Sequence, residues 1–98
     1  MSIDFDTETF EISNKLSQVE GYLDCEKIIV QSINKQLENG NKDENIILYL
    51  KKISACLRRK IATNQLNLKC INYRYAIGFI DTLLKIPYWK NWMKTIET

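Results

Sequence analysis

The chain has 98 residues, with 14 Lys and Arg against 12 Asp and Glu, three Cys and no His. This length supports one hydrophobic core and therefore one domain, residues 1–98. The absence of histidine excludes Ser-His-Asp and Cys-His catalytic sites and the zinc sites that mix cysteine with histidine.

The N-terminal residues carry no pattern typical of an export signal. They contain no basic stretch followed by an apolar run, and no apolar run approaches the roughly 20 residues that span a bilayer. Cys25, Cys56 and Cys70 are far apart and form no C-x-x-C pair, which is typical of packing thiols in a reducing compartment. We expect a cytoplasmic protein with no membrane contact, cofactor or metal.

The first half of the sequence predicts one long helix over residues 7–39. Asp6 is suited to cap it, and Phe5 is placed to pack onto Phe10. Apolar residues recur at alternating spacings of three and four, as in a heptad seam, and Glu26 interrupts them. We expect Glu26 either to fix the register through a paired cation or to contact a partner where the seam is open. The seam consists of Ile12, Leu16, Val19, Leu23, Val30, Ile33 and Leu37.

A turn is predicted at residues 40–43, where Gly40 can close one helix and Asp43 can open the next. The second half then predicts either one helix over residues 44–86 or two helices separated by a break near 63–67. The continuous helix is favoured, because one apolar stripe continues through both halves. That stripe consists of Ile46, Leu50, Ile53, Leu57, Ile61, Leu68, Ile71, Tyr75, Phe79 and Ile86.

A second apolar stripe lies about 160° from the first when each residue advances by 100°. It consists of Leu66, Cys70, Tyr73, Ile77, Ile80 and Leu84. Pro87 ends the long segment, and a short helix is predicted over residues 87–97. The predicted fold is all-α: a long helical hairpin, or a three-helix bundle, with a short C-terminal helix. With two apolar faces on residues 66–86, we expect a homo-oligomer.

Charge is divided between the two halves. Residues 1–49 carry a net charge of −6, and residues 50–98 carry +8. One interpretation is that the acidic half packs on the basic half. The alternative is a nucleic-acid surface in the basic half. Its candidate contacts are Lys51, Lys52, Arg58, Arg59 and Lys60, with Lys69 and Arg74 further along the chain.

Aromatic residues are concentrated after residue 70, and aromatic side chains with a polar rim are typical of protein interfaces. The predicted interaction residues combine these aromatics with nearby charges. They are Glu26, Arg74, Tyr75, Phe79, Trp89, Lys90 and Trp92.

The segment from Ala76 to Pro87, a helix followed by an Ile-Pro stop, resembles a pattern found in small phage-encoded accessory proteins. The resemblance covers twelve residues and implies a phage or mobile-element product that acts on a host protein by binding, in the cytoplasm of the host cell. Because catalytic motifs are absent and the helices have surplus apolar surface, we expect a non-enzymatic helical protein-protein interaction module, and with the resemblance a phage or mobile-element inhibitor of a host protein. The alternatives are a small nucleic-acid-binding regulator and a bacterial immunity or antitoxin protein.

Overall fold

The computed structural model describes residues 6–63 and 69–86, and side chains for all of these except residues 6 and 69. The described residues form four helices and no strand, which confirms the all-α prediction. The helices are α1 (Asp6–Gln18), α2 (Tyr22–Glu38), α3 (Asp43–Thr63) and α4 (Lys69–Lys85). The short helix predicted over residues 87–97 lies outside the described residues.

The prediction of a single helix over residues 7–39 is wrong. Residues 19–21 interrupt it, and Gly21 adopts φ 86°, a conformation that glycine accepts much more easily than other residues. The chain changes direction there, so that α1 and α2 pack against each other.

A side chain of α4 stabilises this break between α1 and α2. The Nδ2 group of Asn72 in α4 donates hydrogen bonds to the carbonyl oxygens of Leu16 and Val19, at 2.8 and 2.7 Å. The last carbonyls of a helix have no partner within the helix itself. Asn72 therefore satisfies the end of α1 and holds it against α4.

The break changes which face of α2 is buried. The buried residues are Cys25, Ile29, Ile33 and Gln36, so Ile33 alone of the predicted α2 seam is fully buried. Leu23 is 68% exposed, and Glu26 and Val30 are half-buried. The heptad spacing continues in sequence from α1 into α2, but the register is reset at Gly21, and these residues therefore lie at the edge of the bundle.

The turn between α2 and α3 forms as predicted. Gly40 has φ 86°, its N–H donates to the carbonyl of Leu37, and the N–H of Asn41 donates to the carbonyl of Gln36, both at 3.0 Å. This pair of bonds is the Schellman arrangement that ends a helix. The next helix then begins at Asp43.

The favoured continuous helix over residues 44–86 is wrong, and the alternative with a break agrees with the structure. α3 ends at Thr63 and α4 begins at Lys69. The two helices pack side by side, and Arg58 forms an ion pair with Asp81 at 3.2 Å. In a single helix these residues would lie about 35 Å apart.

The core lies where the four helices meet. Burial of each large aliphatic side chain there contributes about 1.5–3 kcal/mol. α4 packs against each of the other three helices. The apolar side chains with no exposed surface are Leu16, Ile29, Ile33, Ile46, Leu50, Ile53, Leu57, Ala76, Ile80 and Leu83.

In α4 the second apolar stripe, and not the first, faces this core. Cys70, Tyr73 and Ile80 are buried, whereas Ile71, Tyr75 and Ile86 are 49%, 40% and 53% exposed. The first stripe of α4 continues the buried stripe of α3 only if the two segments form one helix. Once the chain reverses between α3 and α4, the opposite face of α4 meets the core and the first stripe is left on the surface.

We expect Gly21→Ala to lower the free energy of unfolding by about 1–2 kcal/mol, because alanine is strained at positive φ although a Cβ there meets no atom within 4 Å. Gly78→Ala is the matched control. Gly78 lies inside α4 with equally open surroundings, so the change should add about 0.5–1 kcal/mol of stability. Urea unfolding followed by circular dichroism measures both values, and equal effects would contradict the role assigned to Gly21.

We expect Asn72→Ala to destabilise the protein by about 1–3 kcal/mol, because two carbonyl groups at the end of α1 lose their donor. Asn14→Ala, which changes an exposed asparagine in α1, provides the comparison. The same unfolding measurement serves for both variants. If Asn72→Ala lowers the free energy of unfolding no more than Asn14→Ala does, then water replaces the hydrogen bonds of the Asn72 carboxamide without cost.

Candidate interaction surface between α2 and α4

An open groove runs between α2 and α4. α2 contributes Leu23, Glu26, Lys27, Val30 and Gln31, and α4 contributes Phe79. The α2 residues recur at spacings of three and four, which places them along one side of the helix. The groove has a volume of about 650 Å³ and a mainly apolar floor.

Exposed apolar side chains extend this groove along both helices. Leu23 is 68% exposed and Tyr22 45%. On α4, Ile71, Tyr75 and Ile86 are exposed and share by helical spacing the side of Phe79, and Tyr75 contacts Tyr22. We call this surface the α2–α4 face. It consists of Tyr22, Leu23, Val30, Ile71, Tyr75, Phe79 and Ile86.

One aromatic pair joins the two helices at the surface. The rings of Tyr22 and Tyr75 meet edge to face, with centroids 5.6 Å apart and planes at 90°. Edge-to-face contact is a favourable arrangement for aromatic rings. Tyr22 lies beside Tyr75, and Val30 shares the groove with Phe79, so the two helices run in the same direction along the face.

The charged groups of the groove are Glu26 and Lys27, both from α2. A hydrogen bond to the Glu26 carboxylate raises the pKa of Tyr22 above its ordinary value, with smaller contributions from burial and from the negative charge of Glu26. Glu26 is half-buried at an open edge. Glu26 thus lies at an open part of the seam, where it accepts the hydrogen bond of Tyr22, and its contact with a partner stays a prediction.

Of the seven predicted interaction residues, the structure places two, Glu26 and Phe79, in one groove. Tyr75 contacts Tyr22 of α2 outside that groove, and Arg74 is exposed. The remaining three, Trp89, Lys90 and Trp92, lie outside the described residues.

Sequence reasoning missed the other members of the face. The apolar spacing predicts Leu23 and Val30 in a buried seam, and Ile71 and Ile86 in a stripe that continues from α3. Gly21, in the middle of the predicted first helix, was the one signal that the α2 register could change. Leu23 and Val30 would then have become candidates for the surface.

The five candidate nucleic-acid contacts all lie on α3. Lys51, Arg58 and Arg59 are exposed, whereas Lys52 and Lys60 are half-buried. Arg58 pairs with Asp81, and the ammonium group of Lys60 lies 5.2 Å from the centroid of the Phe10 ring. Arg58 and Lys60 are thus engaged in contacts within the chain, although the Arg58–Asp81 pair is about half exposed and is worth little energy.

A polar cluster lies on the opposite side of α2, against α1 and α3. Gln36 is 2% exposed, donates to the Glu8 carboxylate and accepts a 2.7 Å hydrogen bond from Asn41. Burial raises the pKa of Tyr49 to about 12, and hydrogen bonds with Ser32 and Gln36 act in the opposite direction. A cavity of about 150 Å³ borders these groups. Their mutual pairing indicates a structural network.

The cysteines take packing positions. Cys25 and Cys70 are buried and Cys56 is half-buried, and none of these three described residues forms a disulfide, in agreement with the prediction. Burial raises the pKa of Cys25, which disfavours its reactive thiolate form. Across residues 6–63 and 69–86, no three acidic or cysteine side chains come together in a way that could hold a metal ion.

None of the described helices combines the length and apolarity needed to cross a membrane. No protein-family model, curated protein or solved structure shows significant similarity to the chain.

We expect stability to fall as the pH rises from 10 to 12, because the unfolded chain releases the Tyr49 proton near pH 10 while the folded chain retains it up to about pH 12. This contribution of Tyr49 to the free energy of unfolding is fully present below pH 10 and is on the order of 2 kcal/mol. Tyr49→Phe should reduce this loss, and Tyr75→Phe, at an exposed position, should leave it unchanged. Urea unfolding below pH 10 and at pH 12 provides the measurement. Identical pH dependence in wild type and Tyr49→Phe would contradict the assignment.

Proposed function

We propose that the protein is a non-catalytic helical protein-protein interaction module and that the α2–α4 face is its binding surface. The observation that carries the proposal is the cluster of exposed aromatic and aliphatic side chains on two adjoining helices, with Leu23 at 68% exposure beside Tyr22 and Tyr75. Large apolar patches on small soluble domains usually mark interaction sites.

The shape and composition of the groove favour a partner helix with an apolar stripe. A groove between two helices that run side by side accepts such a helix lengthwise, and anchors at spacings of three and four enter it. Tyr22, Tyr75 and Phe79 supply the aromatic contacts that dominate the energy of many interfaces. Glu26 and Lys27 at the edge would select complementary charges on the partner.

A non-enzymatic role is supported by the sequence itself. The chain has no histidine, and its three glycines are dispersed and form no phosphate-binding loop. In the described part of the chain, the buried polar cluster around Gln36 and Tyr49 is paired internally. A binding mode of action accounts for these features without further chemistry.

The more specific proposal is that the module is a phage or mobile-element inhibitor that occupies a surface of a host protein. It rests on the resemblance of residues 76–87 to phage-encoded accessory proteins. Nucleic-acid binding is less well supported, because Arg58 and Lys60 are engaged within the chain. A gel shift that weakens steeply with salt would favour it instead.

We expect Leu23→Glu to abolish retention of a partner in affinity capture from cells that encode the protein, because a charge enters the apolar groove. Leu48→Glu is the matched control, since Leu48 is also an exposed leucine in a helix, 45% exposed, but lies on α3. Mass spectrometry identifies proteins retained by wild type and by Leu48→Glu but lost with Leu23→Glu.

Circular dichroism should show equal helix content in all three proteins, since both leucines are exposed. The proposal fails if every retained protein is equally retained by Leu23→Glu. Light scattering on the same variants tests the expected homo-oligomer: a mass above that of the 11.6 kDa monomer that Leu23→Glu lowers would identify the partner as a second copy.

A further inference from the structure

We propose that the α2–α4 face binds a second copy of this chain about a two-fold axis parallel to α2, so that α2 of each copy lies in the groove of the other. This inference rests on the proposed function and deepens it, because it names the partner helix and its orientation. Each copy contributes the same surface, so the assembly closes as a dimer.

The first argument is the line along which α2 can touch a partner helix. Leu23 and Val30 both border the groove, and at 100° per residue they lie only about 20° apart around α2. Leu23 is 68% exposed and Val30 is half-buried. With a two-fold axis parallel to α2, each of these side chains meets its own counterpart in the second copy. The helix seated there also reaches Phe79, which borders the groove from α4.

The second argument is the placement of the two charged residues of the groove, Glu26 and Lys27. They lie on opposite sides of the line through Leu23 and Val30, each about 50° from it. When a two-fold axis relates two parallel helices, the left side of one helix faces the right side of the other. Each Glu26 therefore faces Lys27 of the second copy, and the two differ in height by only about 1.5 Å, the rise of one residue.

The same two residues disfavour the opposite orientation. When a two-fold axis relates two antiparallel helices, each side of a helix faces its own counterpart, so Glu26 would meet Glu26 and Lys27 would meet Lys27. Like charges placed together across an interface are unfavourable. The described residues that line the groove include no other charged side chain to offset this repulsion. Charge complementarity therefore selects the parallel pair.

The third argument is an unsatisfied acceptor on the same side of α2. Asn34 follows Val30 by four residues, and its Oδ1 atom is buried without a hydrogen-bond partner among the described residues. Buried polar atoms are nearly always paired. In the parallel dimer the two Asn34 side chains face each other, so the carboxamide N–H of one can donate to the Oδ1 atom of the other. An asparagine in such a seam fixes the register of parallel coiled coils.

Charge reversal in the purified protein tests this arrangement. Wild type should have twice the monomer mass of 11.6 kDa in light scattering over a concentration series. Glu26→Lys and Lys27→Glu each place like charges together at both contacts of the dimer, so each should weaken dimerisation by about tenfold. The double variant should dimerise as wild type does. An equimolar mixture of the two single variants should also recover, because a mixed dimer again pairs opposite charges.

Two comparisons separate the dimer contact from effects within one chain. Lys51→Glu makes the same charge change as Lys27→Glu at an exposed position of α3, and it should leave dimerisation unchanged. Glu26→Lys also removes the acceptor of the Tyr22 hydrogen bond. The mixed dimer lacks that bond in one copy too, so recovery on mixing assigns the effect to the contact between copies. Helix content by circular dichroism should be equal in all variants.

Three results would overturn the inference. A wild-type protein that stays monomeric at every concentration would show that no second copy binds. A dimer that neither single variant weakens would place the interface elsewhere. Single variants that weaken the dimer, without recovery in the mixture or the double variant, would exclude the parallel pairing of Glu26 with Lys27.

These results are distinguishable from failure of the proposed function. A wild-type monomer that captures a cellular protein, which Leu23→Glu then fails to retain, would contradict this inference alone. A wild-type monomer whose captured proteins are all retained by Leu23→Glu would contradict both.

Discussion

The contact between Asn72 and the end of α1 determines how the rest of the bundle is arranged. Its carboxamide binds two carbonyl oxygens where α1 stops, which allows the chain to turn at Gly21 and fixes the rotation of α4. With α4 held at that rotation, Tyr73 and Ile80 face inward. Tyr75, on the other side of the helix, is then left beside Tyr22 at the surface. The same polar contact that closes one helix thus positions the candidate binding face.

The core of α3 was predictable from the sequence, because a helix that packs on one side keeps one periodic stripe. Ile46, Leu50, Ile53 and Leu57 are buried as their spacing indicates, and the glycine turn at residue 40 follows from the conformation that glycine alone accepts easily. The two helix breaks were not predictable in the same way. Apolar spacing of three and four continues across both, and the donor that stabilises the first break comes from 53 residues further along the chain.

The candidate site was predicted in part for the same reason. Tyr75 and Phe79 are predictable as interface residues because aromatic side chains are frequent at interfaces whatever the helix register. Leu23 and Val30 could not be assigned to that site while α1 and α2 were treated as one helix, since a continuous seam places them in the core. A reset of register by one short turn converts a predicted core residue into a surface residue, and periodicity alone contains no information about where the reset occurs.

The contacts of α4 with all three other helices have a consequence for the dynamics of the molecule. α1, α2 and α3 each bury part of their apolar surface against α4. If α4 detaches, the remaining three helices therefore lose part of the core that all four share. Amide hydrogens in the middle of α1, α2 and α3 should therefore exchange with solvent through one shared opening, with similar protection in each helix. We expect the four described helices to open as one cooperative unit that depends on the packing of α4.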